Sequence, residues 1–347
     1  MDEIKSTLTG LRHAKVPLTL GTIRAIIIAR INTDLPRLFV QKARDGSIFR
    51  ATVPWCRRFL HREMQWSIRH ATRAAQKTPE NADELLLKSA IRQVISIRNF
   101  SIPASLRVNS DQTQVVLQGG AKVSWHRTGD KQVTTHGLDE KRAMTLLVGV
   151  SASGNLLPFQ CMWQGATVRS LPSADSAGYG EAINKGFLFE FTKTQTYWYT
   201  ISTMKSYVNR ILIPYFCKEQ RNLQLPETQP CIWQIDVWSV HTSQEFRSWM
   251  WDTHPWIILD YVPGGCTGLF QPCDVGMQRV LKQAITRAQS SDLVAEVLDA
   301  IKAGAEASEI RIDTTIGTLR DRSVQWLLKA HELTNSSVLV KAVSSVP

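Results

Sequence analysis

The chain has 347 residues, of which 43% are hydrophobic and 20% charged, so it can build a sizeable core over two or three domains. It contains no uncharged apolar run of about eighteen residues, so no membrane span is predicted. Arg12, His13 and Lys15 interrupt the first apolar stretch, so no signal peptide is predicted either. The six cysteines form no C-x-x-C pair, which argues against a zinc ribbon or a disulfide framework and favours a reducing, cytosolic or nuclear setting.

The positive charge is concentrated near the start of the chain. Residues 1 to 78 contain 15 lysines and arginines against 5 aspartates and glutamates, a net charge of +10 out of +11 for the whole chain. The remaining residues are nearly neutral, with 26 basic and 25 acidic side chains. A compact basic segment beside a near-neutral body predicts a polyanion-binding module attached to a domain with another function.

Residues 1 to 78 are predicted to be helical. In the stretch LTLGTIRAIIIARIN, Leu20, Ile23, Ile27 and Ile31 recur at helical spacing. After a loop, the stretch TVPWCRRFLHREMQWSIR predicts a second helix with Thr52 as its N-cap. The apolar residues of this helix share one face, and its basic residues lie largely on the other: Arg57, Arg58, His61 and Arg62.

This arrangement of two helices and a turn predicts a helix-turn-helix DNA-binding segment. In that motif the second helix enters the major groove, where exposed arginines contact the phosphate backbone. The alternative is a solvated basic helix with no ligand. The concentration of charge in residues 1 to 78 favours the DNA-binding interpretation.

Residues 79 to 105 are predicted to form a helical connector. Beyond Pro103 the pattern changes to strands and helices in the order β-β-β-α-β-α-β-α, with a hairpin signal at Ser153-Gly154-Asn155. This order predicts an α/β fold, a mixed sheet flanked by helices. A capping box with Thr242 as N-cap and Glu245 three residues on predicts the start of one of the helices.

Three acids occupy comparable places in this body. Asp111 lies on the first strand, Asp236 ends the later strand CIWQI, and Asp274 opens the helix that follows the last strand. Carboxylates gathered in one place repel one another, and a divalent metal such as Mg²⁺ is their usual compensation. Two such ions about 4 Å apart can activate a nucleophile and stabilise the leaving oxygen of a phosphodiester. Taken singly, Asp111 fits a turn and Asp274 fits a helix cap.

The stretches NSDQTQVVL, EKRAMTLLVGVSASGNLLP, IDVWSVHTSQEF and VPGGCTGLFQPCDVG together resemble the DDE superfamily endonuclease domain of pogo/Tigger-type transposases. The segment before them resembles the centromere-protein-B-type helix-turn-helix that those transposases carry. The resemblance covers roughly residues 15 to 330. It implies an RNase H-like fold over residues 106 to 290, followed by a helical extension over residues 291 to 347.

The resemblance also implies function. The catalytic, metal-binding triad would be Asp111, Asp236 and Asp274, with Mg²⁺ or Mn²⁺ as cofactor and His241 hydrogen-bonded near the metal site or satisfying the corner between strand and helix. The reaction would be hydrolysis and strand transfer on DNA, with transposon ends and target as partners. A nuclear location, no membrane association and a homo-oligomer are compatible with this interpretation.

Two departures from the family pattern keep a second interpretation open. Many members have Asn directly after the second aspartate, and Val237 stands there in this chain. The family commonly carries two helix-turn-helix units, and only one can be recognised in this sequence. This would fit a chain that begins late or derives from a decayed element. The alternative is therefore a domesticated or decayed transposon-derived DNA-binding protein without catalysis.

Overall fold

The computed structural model describes residues 1–13, 18, 20–67, 78–117, 142–193, 199–304 and 312–344. The chain divides into two compact units, Met1–Thr78 and Pro79–Pro347. Within the described ranges, every helix is too short or too polar to cross a membrane. All six cysteines are free thiols.

The first unit is helical and packs around isoleucines. Its helices are α1 (Asp2–His13), α2 (Leu20–Asp34) and α3 (Val53–Glu63), with a 3-10 turn at Pro36–Phe39. The helical spacing of Ile23, Ile27 and Ile31 buries all three against Cys56 and Phe59 of α3. The hydroxyl of Thr52 accepts a hydrogen bond from the Trp55 N–H at 3.3 Å, which is the predicted cap.

The second unit contains all the strands that the structure describes. The strands are β1 (Arg107–Val116), β2 (Ala143–Ser151), β3 (Gln160–Trp163), β4 (Leu188–Phe191), β5 (Cys231–Ile235) and β6 (Ile257–Tyr261). The helices are α4 (Ala82–Phe100), α5 (Tyr179–Asn184), α6 (Ile201–Tyr207), α7 (Ile213–Asn222), α8 (Ser239–Thr242), α9 (Gln244–Thr253), α10 (Thr267–Phe270), α11 (Gln278–Lys302), α12 (Ile316–Thr334) and α13 (Ser337–Ser344). Two π turns, Val208–Leu212 and Cys273–Met277, lead into α7 and α11.

The sheet has the order β4-β3-β2-β1-β5-β6. Strands β1, β2 and β3 pair antiparallel, and β5 and β6 run parallel to β1. Three antiparallel strands followed by two parallel ones, with helices against the sheet, form an RNase H-like arrangement, so the predicted α/β fold class is confirmed. Strand β4, which pairs parallel with β3, was absent from the prediction, because a four-residue apolar run is too short to show a period.

Hydrophobic clusters lie on both faces of the sheet. On one face, α11 and α12 pack against β1 and β2 through residues such as Met277, Leu281, Leu327 and Val148. On the other face, α6, α7 and α9 pack against β1, β2 and β5. Alternate residues of β1 therefore enter different clusters, as the two-residue period of a strand requires.

One histidine is built into the first of these clusters. His331 of α12 is 8% exposed, and its ring centroid lies 4.9 Å from that of Phe159 and 5.2 Å from that of Phe187. Burial lowers the pKa of His331 to about 4, because the charged imidazolium would lose its hydration there. This side chain is therefore neutral in the folded protein at neutral pH.

The predicted N-cap at Thr242 is wrong by one residue. Thr242 closes the short helix α8, and the Ser243 hydroxyl accepts the hydrogen bond from the Phe246 N–H at 3.2 Å that opens α9. Thr242 belongs to the additional short helix α8, so the N-cap of α9 moves to the next residue, Ser243.

Candidate functional site

The pairing of β1 with β5 places two of the three acids side by side. Arg107 pairs with Ile232 and Asn109 with Gln234, a constant offset of 125 positions. Continued by two residues, the same offset sets Asp111 opposite Asp236, which directly follows β5. In parallel strands, residues in register lie on the same face of the sheet. Asp111 and Asp236 therefore occupy adjacent positions on the face that carries α11.

The third acid reaches this place because the π turn before α11 is tied to β1. The Cys273 N–H donates to Asn109 Oδ1 at 3.0 Å, and the buried Cys273 thiol lies 3.5 Å from the Val148 carbonyl oxygen. Asn109 precedes Asp111 on the same face of β1 by one strand period. The turn accordingly brings the Asp274 carboxyl group near that of Asp111, close enough for its charge to raise the Asp111 pKa.

The pKa of Asp111 is sensitive to burial and to the two neighbouring acids. Burial raises the pKa of Asp111 well above its usual value, and the neighbouring charge and hydrogen bond of Asp274 and the charge of Asp236 raise it further. By Coulomb's law, a cation placed among the three carboxylates would lower that pKa again, because it stabilises their charged forms.

Sequence reasoning missed two residues of α11 that also belong to this site. Gln278 Nε2 donates a hydrogen bond to Asp111 Oδ2. Partial burial lowers the pKa of Lys282, and the nearby charges of Asp111 and Asp274 act in the opposite direction. The Lys282 side chain nevertheless stays accessible to solvent. Asp274, Gln278 and Lys282 are spaced four residues apart, the interval of one helix face. This spacing is visible in the sequence. It indicates that Gln278 and Lys282 belong to the site only once Asp274 has been assigned to it.

His241 lies beside Asp236. Its Nδ1 is 2.8 Å from Asp236 Oδ1 and 3.2 Å from the Asp236 backbone oxygen. Both oxygens are acceptors when the carboxylate is ionised, so Nδ1 carries the hydrogen. The ring is 2% exposed and is surrounded by the aromatic rings of Trp233, Trp238 and Phe246. It therefore fixes the direction of the Asp236 carboxylate.

The donor set of the site suits a hard divalent cation, since it consists of carboxylate oxygens. Among the described residues, no group of three or more His, Cys, Asp or Glu side chains is arranged as a ready metal-binding cluster. In this arrangement Asp236 is hydrogen-bonded to His241, and Asp111 is hydrogen-bonded to Gln278. The carboxylates fit Mg²⁺ or Mn²⁺, since such an ion would offset the Asp274 and Asp236 charges that add to burial in raising the pKa of Asp111.

The predicted DNA-binding residues all lie on the outer face of α3. Cys56 and Phe59 of this helix are buried in the first unit. The exposed side chains of the helix include all four predicted contacts, Arg57, Arg58, His61 and Arg62. The apolar and basic residues of α3 therefore separate by face, which leaves the basic side chains accessible to a polyanion.

Comparison with known proteins gives one sequence relative and a set of solved structures. No family model matches the chain. Over 123 residues, the chain is 31% identical to the Homo sapiens protein described as pogo transposable element with KRAB domain. That match spans 35% of this chain and 20% of the relative, so the chain spans about a fifth of the relative's length.

The solved structures are complexes of the Mos1 transposase. The paired-end complex with the left transposon end has a TM-score of 0.41 at 13% identity, covering 92% of this chain and 78% of that one. The mariner paired-end complex with Mn has a TM-score of 0.42 at 11% identity, covering 99% and 97%. TM-scores below 0.5 do not assign a fold, so the RNase H-like assignment rests on the strand order and pairing. With the human relative, the predicted resemblance of the chain to pogo-type transposases is confirmed.

Proposed function

We propose that the chain is a transposase-derived, metal-dependent DNA endonuclease and strand transferase. The observation that supports this most directly is the pairing of β1 with β5, whose offset sets Asp111 beside Asp236. Asp274, in the π turn before α11, lies near enough to Asp111 for its charge to raise the Asp111 pKa, which supports its inclusion as the third acid. Three carboxylates held together at the end of two parallel strands form a site suited to phosphoryl transfer.

Asp111, Asp236 and Asp274 would hold Mg²⁺ or Mn²⁺. When bound, two such ions lower the pKa of an attacking water or hydroxyl and stabilise the leaving oxygen of a phosphodiester. His241 orients Asp236 through the Nδ1 hydrogen bond of 2.8 Å, and Gln278 holds Asp111. Lys282 supplies a positive charge at the same helix face, where it can approach a DNA phosphate.

The first unit would deliver DNA to this site. Residues 1 to 78 carry a net charge of +10, and α3 exposes Arg57, Arg58, His61 and Arg62 on one face. A basic helix of this kind binds DNA mainly through its phosphates. We infer that transposon ends and target DNA are the partners, that α3 belongs to a helix-turn-helix, and that the protein acts in the nucleus.

The second candidate function is DNA binding without catalysis. Val237, directly after Asp236, is 42% exposed, so it supplies an aliphatic side chain where many family members have an amide. The side chain of an Asn at this position could hydrogen-bond near the metal or substrate, and Val cannot. Catalytic activity therefore decides between the two candidates.

The test is cleavage and binding of DNA by wild type and Asp236→Asn in the presence of Mg²⁺ or Mn²⁺. We expect the substitution to reduce cleavage by on the order of a thousandfold, since it removes a charge that the metal needs. DNA affinity should stay nearly unchanged, because it resides in the first unit. Thermal stability should stay equal or rise, since fewer like charges are crowded together.

The matched control is Asp252→Asn, which makes the same change at an exposed position of α9. It should cleave and bind as wild type does. Metal-dependent cleavage that survives in Asp236→Asn would reject the assignment of this acid. A wild-type protein that binds DNA but shows no cleavage with either metal would favour the second candidate function.

A further inference from the structure

Helix α4 presents an aliphatic stripe to solvent. Leu87, Ile91, Val94 and Ile95 are 61%, 48%, 61% and 51% exposed. They follow one another at helical intervals, so they share one face of α4. A contiguous exposed patch of aliphatic side chains is unfavourable in water and marks an interaction surface.

The opposite face of α4 is already occupied by the sheet. Gln93 Nε2 donates to the Asp260 carboxylate on the edge strand β6 at 2.5 Å, Ser89 is fully buried, and Ile97 packs into the second hydrophobic cluster. The inner face thus combines Ser89 and Gln93 with the buried Ala82 and the partly buried Ile97, and the outer face adds a second set of aliphatic side chains. A helix that only covered a core would be polar on its outer face. The outer face therefore has the composition of a second packing surface.

The outer face forms a continuous stripe along the helix. Glu84, Leu87, Ile91, Val94 and Arg98 are separated by alternating steps of three and four residues, so they form one stripe. The two ends of this stripe carry opposite charges, Glu84 towards the start of α4 and Arg98 towards its end. The stripe is therefore complementary to itself when it is turned end for end.

We propose that α4 is the contact surface between two copies of this chain, paired antiparallel about a two-fold axis at Ile91. In this register Ile91 meets Ile91 of the second copy, Leu87 meets Ile95, and Glu84 meets Arg98. Val94 then lies against the aliphatic stem of Lys88, whose ammonium group can stay in water. A parallel pair would place Glu84 against Glu84 and Arg98 against Arg98, which is unfavourable. The ion pair of Glu84 with Lys88 at 2.6 Å is exposed and weak, so it does not prevent Glu84 from pairing across the interface.

The proposal is tested by charge reversal in the full chain without DNA, with mass followed by sedimentation or light scattering over a range of concentrations. The contact between Glu84 and Arg98 occurs twice in the proposed dimer because of the two-fold symmetry. Either Glu84→Arg or Arg98→Glu alone therefore creates two like-charge contacts. Each alone should raise the dissociation constant of the dimer roughly tenfold or more. An equimolar mixture of the two variants restores both opposite-charge contacts, so it should recover the affinity of wild type.

The control for net charge is Glu227→Arg, an exposed position outside α4, which should dimerise as wild type does. A second, independent measurement uses Ile91→Cys, which lies on the axis and should form a disulfide between two copies under mild oxidation. Leu298→Cys, at a similarly exposed position of α11, should form far less.

Three results would overturn the proposal. The first is a wild-type protein that stays monomeric at every concentration. The second is a mixture of Glu84→Arg and Arg98→Glu that associates no better than either variant alone. The third is an Ile91→Cys protein that cross-links no more than Leu298→Cys does, which is the result expected if another part of the same chain covered α4. Circular dichroism of each variant confirms that it is folded.

Discussion

Helix α3 and the acidic end of the β1–β5 pair use charge in opposite ways. On α3, the four basic side chains are exposed, and the apolar face of the helix alone holds them in position. At the end of β1 and β5, three like charges meet in a half-buried place, where the pKa of Asp111 is raised. Exposed charges attract a polyanion additively, so each contributes a part. Crowded acids act as a group, so each depends on the positions of the others.

The dependence of the acids on their neighbours can be tested at Gln278, an uncharged residue that donates a hydrogen bond to Asp111. We expect Gln278→Ala to reduce metal-dependent cleavage roughly tenfold to a hundredfold, because Asp111 loses the group that orients it. DNA binding should remain unchanged. Cleavage rates over a range of metal concentrations measure the effect. Gln283→Ala, at an exposed position of the same helix, is the matched control. Equal rates for the two variants would show that the acids do not depend on this contact.

The additive behaviour of α3 is tested by replacing Arg57, Arg58 and Arg62 together with Gln. If each contacts one phosphate, the slope of log affinity against log salt should fall by roughly 2.7. Between 50 and 200 mM salt, wild type should then lose roughly 40-fold more affinity than the triple variant. Filter binding or fluorescence anisotropy at several salt concentrations measures this slope.

The control for this experiment uses cations of the same unit that already have acidic partners. Lys5 lies 3.0 Å from Glu63, and Arg30 lies 3.1 Å from Glu3. Lys5→Gln with Arg30→Gln should change the slope much less than the triple replacement. An equal change in both variants would mean that the net charge of the unit matters and the face of α3 does not.

The buried histidine of the second unit should make stability depend on pH. His331 has a folded pKa of about 4, below the unfolded value near 6.5, because burial disfavours its charged form. Its contribution to stability is present above the unfolded pKa and is lost as the pH falls towards 4. Between pH 7 and pH 5 this amounts to about 2 kcal/mol of the free energy of unfolding.

Urea unfolding of wild type and His331→Leu at both pH values isolates this contribution, since all other titrating groups are common to the two proteins. The pH dependence should be smaller in His331→Leu by that amount. A His331→Leu protein with an unchanged pH dependence would contradict the assignment to this side chain.

The order of strands and helices could be predicted because each long apolar run has one period, and β1, β2, β5 and β6 appear where those runs lie. The four-residue strand β4 carries too little pattern, and the one-residue error at Thr242 came from the unforeseen turn α8. The three acids were predicted from their motifs. Gln278 and Lys282 were not, because their role depends on the docking of the π turn against Asn109, a contact between residues 164 positions apart.

The pairing of β1 with β5 has a consequence for how such a gene can change. The separation of 125 positions between Asp111 and Asp236 coincides with the offset of the two strands, but only the offset is constrained by the sheet. Residues added in a loop between β1 and β5 would lengthen the separation and leave the two carboxylates adjacent. A single residue inserted within β5 itself would turn Asp236 to the opposite face. Among descendants of such a gene, the number of residues between these acids is therefore free to change, whereas small insertions or deletions inside the two strands would separate the two carboxylates.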